Sequence, residues 1–268
     1  MSVDRKSRIG LRVIALGYLA VLLLVPVGLV FYRTFEKGIG AFFESITTPA
    51  AIHALFLTLE VALICVPLNA VFGVLAAMAL VRGRFPGKRL LDALIDLPFA
   101  ISPVVIGLSL LLLYGRTGWF GPWLADHGIQ IIFSVPGIVL ATLFVSMPFV
   151  VREVAPVLQE IGNEQEQAAA TLGAGWWQTF WRVTLPAIRW GLAYGVVLST
   201  ARAIGEFGAV SVVSGKIAGE TETLTLLVEK RFQNFDLAGA YAASALLAVI
   251  ALATLVFMSV IGSRRAES

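Results

Sequence analysis

Long apolar segments separated by shorter polar connections dominate this chain of 268 residues. A helix that crosses a membrane needs about 20 mostly apolar residues. Six segments of that kind occur here. Charged residues make up only 14% of the chain, whereas about a quarter of the residues in a soluble domain are charged. This composition excludes a soluble enzyme, a disordered chain and a disulfide scaffold, and it predicts an all-α polytopic membrane protein with six transmembrane helices.

The six predicted spans belong to a single transmembrane domain, residues 1–268. We expect them near residues 11–32, 55–81, 94–114, 129–151, 191–213 and 238–261. The first is too long for the apolar core of a secretory signal and no small-residue cleavage site follows it, so we interpret it as a retained helix. The longest cytoplasmic connection is predicted at residues 152–190.

Positively charged residues indicate which side of the membrane each connection faces. With the N-terminus in the cytoplasm, 13 of the 20 Lys and Arg residues lie on the cytoplasmic side, 6 lie outside and Arg202 lies within a span. Cytoplasmic loops normally carry the excess of positive charge. We therefore expect both termini and residues 152–190 in the cytoplasm, and residues 214–237 outside as a polar stretch.

Residues 152–190 contain two predicted short helices. The first begins after Asn163, a capping residue, and Glu166 lies three positions on, where its side chain can bond back to the cap. Gly173 is placed to end this helix in a left-handed conformation. The second helix, residues 176–183, is predicted to stop before Leu185 and Pro186.

The second helix carries a cluster of aromatic side chains, and positions 177, 180 and 181 fall on one helical face. Exposed to the cytosol, this patch needs a cover. One interpretation places the aromatic rings at the lipid headgroups or against the protein's own helices. The other makes them a docking surface, because Trp is a typical interface anchor. The four residues are Trp176, Trp177, Phe180 and Trp181.

The spacing in this segment resembles a signature of bacterial ABC importer permeases, E-A-A-x3-G-x9-I-x-L-P. Here Gln167 stands where Glu is usual, next to Glu166, and Val183 stands in place of Ile. In that family the segment forms coupling helices that insert into a groove on the ATP-hydrolysing subunit. We therefore name residues 152–190 the coupling segment. The resemblance implies a coupling role for Glu166, Gln167, Ala168, Ala169, Gly173, Trp177, Trp181, Leu185 and Pro186.

Three further strings resemble sulfate/thiosulfate permeases over nearly the whole chain, above all the W-type subunit. They begin at Asp96, Arg202 and Gly219. Related molybdate and tungstate permeases share the Arg-x-x-Gly-Glu-Phe-Gly string at residues 202–208, so these anions remain alternative substrates. The resemblance implies the MetI-like permease fold and transport by alternating access across the inner membrane.

The fifth predicted span carries two charged residues, Arg202 about midway and Glu206 one helical turn later. An ionised side chain inside a membrane costs at least about 2.5–3.5 kcal/mol. The i, i+4 spacing allows an ion pair. The pair either locks helix packing or lines the translocation pathway. Because Glu206 largely cancels the attraction of Arg202 for an oxyanion, the pair does not account for sulfate selectivity.

The resemblance implies three kinds of protein partner, together with membrane lipid and without nucleic acid. They are two copies of an ATPase, a homologous T-type permease and an external sulfate/thiosulfate-binding protein. The sequence predicts no enzyme activity, cofactor or metal site in this chain, because Walker-type, H-E-x-x-H and G-x-S-x-G motifs are lacking. The rival hypotheses are a self-contained channel or secondary transporter and a membrane-embedded enzyme.

Overall fold

The computed structural model describes residues 5–263, and that part of the chain is helical with no strand. Residues 1–4 and 264–268, which the predicted domain includes, lie outside the described residues. The all-α fold class is confirmed. The helices are α1 (Arg5–Leu19), α2 (Val25–Phe35), α3 (Ile39–Ile46), α4 (Pro49–Arg82), α5 (Lys88–Ala100), α6 (Pro103–Tyr114), α7 (Gly121–Asp126), α8 (Val135–Ile161), α9 (Glu164–Thr171), α10 (Trp176–Thr179), α11 (Leu185–Ile204), α12 (Val210–Val213), α13 (Leu224–Gln233) and α14 (Leu237–Ser263).

Four of the predicted spans coincide with helices that are long and apolar enough to cross a membrane. The first joins α1 and α2 through a wide helical turn at Ala20–Leu24, and the others are α4, α8 and α14. Helix α8 differs from the predicted span 129–151, because it begins at Val135 and continues to Ile161. Pro136 lies in its first turn, where a missing N–H is tolerated. The coupling segment therefore begins with a helical extension of the fourth span.

The third predicted span, residues 94–114, is divided between two helices. Helices α5 and α6 are bent by 113° relative to one another. Ile101 and Ser102 between them are extended, with ψ angles of 138° and 135°. Pro103 explains the break, because its ring disfavours a helical conformation at the preceding residue and it has no N–H to donate.

The fifth predicted span, residues 191–213, is also divided. Helix α11 begins earlier, at Leu185, and ends at Ile204. A turn at residues 205–209 then leads into the short helix α12. Glycines at 205 and 208 favour this termination, because glycine is a poor helix former. Since α11 contains Arg189 and Arg202, it is less apolar than the four spanning helices, and the count of six spans remains a prediction.

Helix α8 lies at the centre of the bundle and packs against α4 and α11. Its buried face contributes Val150, Val154 and Leu158 to the main core cluster. A Cβ atom added to Gly73 of α4 would lie 2.5 Å from the Val150 Cβ, so the close approach of α4 and α8 needs glycine there. Gly195 of α11 approaches Val150 in the same way, as expected for small residues at a helix contact in a membrane.

The outer segment 214–237, predicted as a polar stretch, contains helix α13 and several buried polar residues. Helix α13 packs against α4 and α14. The polar residues that precede it, Thr221, Glu222 and Thr223, are buried. Thr58 of α4 accepts a hydrogen bond from the Leu224 N–H at 2.9 Å, which satisfies a donor at the start of α13. Side chains of α4 thus replace the water that the polar composition of this segment would otherwise require.

The coupling segment and the buried ion pairs

The first coupling helix ends as predicted. Helix α9 stops at Thr171, and Gly173 has a φ angle of +86°. The Gly173 N–H donates to the Ala170 carbonyl at 3.0 Å, and the Ala174 N–H donates to the Ala169 carbonyl at 3.0 Å. These two bonds satisfy carbonyls at the helix end. The left-handed turn redirects the chain into the aromatic part of the segment.

The start of α9 differs from the prediction, because Asn163 makes no side-chain capping bond and Glu166 does not bond back to it. Glu166 instead accepts hydrogen bonds from Arg82 Nε at 3.0 Å and from the Thr184 hydroxyl at 2.9 Å. A guanidinium is a stronger partner for a carboxylate than a neutral backbone N–H. The Glu166 carboxylate therefore faces the protein's own helices.

The second coupling helix does not stop before Leu185 and Pro186, as the sequence predicted. Helix α10 passes into a wide π-type turn at Phe180–Thr184 and then directly into α11. Thr184 retains helical angles, φ −67° and ψ −52°. Pro186 lies in the first turn of α11 and cannot donate a bond back to the wide turn that precedes it. The helical path continues past it, because Leu185 donates to the Phe180 carbonyl. The aromatic residues are therefore joined to a membrane helix by continuous helical backbone.

The aromatic residues form a compact, exposed patch. Trp177 is 64% exposed and Trp181 is 59% exposed. Phe180 holds the rings together, since it stacks on Trp176 at a centroid distance of 5.9 Å and meets Trp181 edge-on at 5.4 Å. We name Leu172, Trp176, Trp177 and Trp181 the aromatic surface. Packing against the protein's own helices holds for Phe180, which is partly buried against the main core cluster, but not for the three tryptophans. For these, lipid headgroups or a docked protein remain.

The other residues with a predicted coupling role surround this surface. Gln167, Ala168 and Pro186 are exposed, whereas Ala169 and Leu185 are partly buried. The structure thus brings Gln167 and the tryptophans to the accessible side of the segment and turns Glu166 inward. Their contact with an ATPase stays a prediction, because the structure contains this chain alone.

The Arg202 and Glu206 ion pair forms as predicted, with 2.6 Å between Arg202 Nη1 and Glu206 Oε2 in an ion contact that lacks hydrogen-bond alignment. Its position differs from the prediction. Because α11 ends at Ile204, Arg202 lies in the last turn of the helix rather than midway along it. A cation is favourable there, beside the negative end of the helix dipole.

Glu206 also ties together the elements that follow α11. Its Oε1 atom accepts from the Ala209 N–H at 2.9 Å, and its carbonyl accepts from the Thr225 hydroxyl at 2.8 Å. These contacts link the end of α11 to α12 and α13. The geometry favours a packing role for the pair over a free anion-binding role.

Sequence reasoning missed two buried contacts. From the sequence, Arg82 is a charge that sets orientation or touches a cytoplasmic partner, whereas in the structure it binds the coupling segment of its own chain. Glu222, which is 1% exposed, lies 2.9 Å from the Lys230 ammonium. The second pair lies eight positions apart on a segment that reads as polar loop, so only the fold reveals it. In residues 5–263, no group of three or more His, Cys, Asp or Glu side chains is arranged to hold a metal.

Comparison with known proteins agrees with this arrangement. The family described as binding-protein-dependent transport system inner membrane component matches residues 69–266. The sulfate transport system permease protein CysW of Synechocystis sp. is 55% identical over 94% of this chain and 91% of that protein. The CysT permease of Escherichia coli K12 is 43% identical over 91% of this chain and 87% of that protein.

A solved structure of a bacterial ABC transporter that imports the acidic polysaccharide alginate has the same fold. One of its chains aligns with a TM-score of 0.78 at 18% identity, covering 95% of this chain and 94% of that chain. At this identity the likeness concerns the fold alone. The family profile and the permease relatives together cover almost all of the sequence. The chain is a multi-pass membrane protein that belongs to the family of inner membrane components of binding-protein-dependent transport systems.

Proposed function

We propose that this chain is the W-type permease subunit of an ATP-driven importer of sulfate and thiosulfate across the inner membrane. The supporting observation is the exposed aromatic surface joined by helical backbone to α11, in a chain that is 55% identical to a sulfate permease. A channel or a secondary transporter has no need for such a surface. The chain itself hydrolyses nothing, and ATP hydrolysis occurs on a partner.

The proposed assembly contains this chain, a homologous T-type permease, two copies of an ATPase and an external sulfate/thiosulfate-binding protein. The relatives include both W-type and T-type sulfate permeases, which supports a mixed pair. The termini are cytoplasmic, as the excess of positive charge on that side indicates. In this orientation the aromatic surface faces the ATPases.

Transport in this proposal follows alternating access. ATP binding closes the two ATPases, and the groove that holds the aromatic surface moves. Since α10 continues through the wide turn into α11, the motion passes along helical backbone to the membrane helices. The spans then open outward to receive the anion. Arg202 and Glu206 hold α11, α12 and α13 together during this change, and the external protein supplies most of the sulfate affinity.

Uptake of labelled sulfate tests the proposal. The complete complex is expressed in cells that lack their own sulfate importer, and unlabelled thiosulfate or molybdate is added in parallel. We expect uptake that requires ATP, is blocked by thiosulfate and is insensitive to molybdate. Uptake that persists after ATP depletion with the membrane gradient clamped would show a channel or secondary transporter. Movement of molybdate or tungstate without sulfate would retain the importer and overturn the substrate.

A further inference from the structure

Arg82, the last residue of α4, makes several hydrogen bonds to the coupling segment. A positive charge that only sets the orientation of the chain in the membrane needs none of them. Its Nε atom donates to Glu166 Oε2 at 3.0 Å, and its Nη1 atom donates to the Leu158 carbonyl at 3.1 Å. Its Nη2 atom donates to the Gly162 carbonyl. One guanidinium thus joins the end of α4 to the end of α8 and to α9.

The region around these contacts is closely packed. Arg82, Glu166 and Thr184 border a cavity of only about 10 Å³, which is no larger than one water molecule occupies. The Arg82 and Glu166 side chains are 21% and 23% exposed. Because the two side chains are in direct hydrogen-bond contact, a displacement of Glu166 acts on Arg82 without an intervening water molecule.

The hydrogen bonds to Glu166 also fix the position of α9 relative to α4 and α11. Glu166 is held from two sides, by Arg82 of α4 and by Thr184 of the wide turn before α11. Thr184 lies on the stretch of backbone that follows α9, whereas Arg82 lies 84 positions before Glu166 in the sequence. The Arg82 contact is thus a separate connection between α9 and the longest helix of the bundle.

We propose that Arg82 is a positioning residue that transmits displacement of the coupling segment to α4, in parallel with the backbone path to α11. The inference rests on the proposed function, because it assumes that an ATPase moves this segment. Arg82 contacts neither the ATPase nor the transported anion in this account. It keeps α4 and α11 moving together, so that each ATP hydrolysed opens the pathway.

The test measures how much sulfate is transported per ATP hydrolysed by the complete complex in proteoliposomes. Arg82→Gln and Glu166→Gln each break the ion pair. Arg84→Gln is the matched control, because Arg84 lies two positions away, is exposed and has no ion pair within residues 5–263. We expect the transport ratio to fall at least about fivefold in Arg82→Gln and Glu166→Gln, the lower end of typical coupling between sites. We expect no change in the control.

Two further readouts separate coupling from folding. The Arg82→Gln and Glu166→Gln double variant is expected to lose less than the two single variants together, because both remove the contact between Arg82 and Glu166. Arg82→Lys, which keeps the charge but cannot donate to all three partners together, is expected to recover part of the ratio. An unchanged ratio in variants that bind the ATPase normally would overturn the proposal, as would equal loss in Arg84→Gln.

Failure of this inference differs from failure of the proposed function. A wild-type complex that shows no ATP-dependent sulfate uptake contradicts the proposed function. A wild-type complex that transports sulfate, with Arg82→Gln and Glu166→Gln transporting as much per ATP, contradicts only the role of Arg82.

Discussion

The coupling segment exposes apolar side chains, whereas the outer segment 214–237 buries polar ones. The coupling segment carries three tryptophans that are more than half exposed, and Leu172 beside them is 88% exposed. In the outer segment, three polar residues precede α13 and all three are buried, with Glu222 at 1% exposure. Apolar residues thus lie at the surface in one region and polar residues lie in the interior of the other.

The difference shows where each region finds its partners. The buried polar residues find partners within the chain: Thr221 accepts from the Ile217 N–H at 3.1 Å, the Thr223 hydroxyl lies 3.1 Å from the Thr225 hydroxyl, and Glu222 lies 2.9 Å from the Lys230 ammonium. The exposed tryptophans contact Phe180, and Trp176 also contacts Trp177. Because a large exposed apolar patch marks an interaction site more often than a stable free surface, the coupling segment is complete only with another molecule. In the outer segment, the buried polar residues before α13 find their partners within the chain, while Ile217, Phe232 and Phe235 stay exposed on either side of them.

Replacing Trp177 and Trp181 together by Ala is expected to give the largest effect, a loss of affinity for the ATPase. If these rings are anchors in an ATPase groove, each loss costs about 2 kcal/mol or more of binding free energy. Together they weaken association by at least about a hundredfold. Affinity for the ATPase is measured with the purified permease pair in nanodiscs.

The matched control replaces Trp119 and Trp123, an exposed pair on the outer loop. It is expected to leave ATPase affinity unchanged. If the Trp177 and Trp181 variant binds the ATPase as tightly as the wild type, the aromatic surface belongs to the lipid headgroups instead.

Replacing one leucine in each segment by alanine compares how much each segment contributes to the stability of the fold. Leu224→Ala removes a fully buried side chain at the start of α13, and Leu172→Ala removes an exposed one. We expect Leu224→Ala to lower the free energy of unfolding by about 2–5 kcal/mol, because it leaves a cavity. We expect Leu172→Ala to leave it within about 0.5 kcal/mol.

Denaturation of the purified protein in mixed micelles measures both leucine variants. Equal destabilisation by Leu172→Ala and Leu224→Ala would mean that the coupling segment is packed as tightly as the outer segment, and the contrast between them would fail.

Local signals in the sequence predicted part of this structure well. Gly173 ends α9 because a left-handed turn favours glycine, and Arg202 pairs with Glu206 because they lie one helical turn apart. Pro103 could have predicted the bend between α5 and α6, since proline restricts the residue before it. The angle of 113° lies beyond this signal, because proline restricts the residue before it and does not set the direction of the next helix.

The remaining features depend on contacts between distant parts of the chain. Arg82 meets Glu166 across 84 positions, and Thr58 meets the Leu224 N–H across 166. Capping rules and hydrophobic periodicity describe neighbours within a few turns, so they cannot indicate such pairs. The same limit explains the error at Glu166: the local capping box is a weaker alternative to a guanidinium that only the fold brings near.

Thr58→Val gives the smallest expected effect and examines why the outer segment can be buried at all. The Thr58 hydroxyl accepts from the Leu224 N–H at 2.9 Å and donates to the Ala54 carbonyl at 2.7 Å. Valine keeps the shape but leaves the Leu224 N–H buried without that partner, at a cost of about 1–2 kcal/mol in the free energy of unfolding. Thr200→Val is the control, because the Thr200 hydroxyl donates to the Val196 carbonyl of its own helix at 2.7 Å, a bond whose loss leaves no N–H unsatisfied. Equal stability of both variants in micelle denaturation would indicate that water reaches the start of α13. The polar residues before α13 would then not be buried, and the contrast with the coupling segment would be weaker.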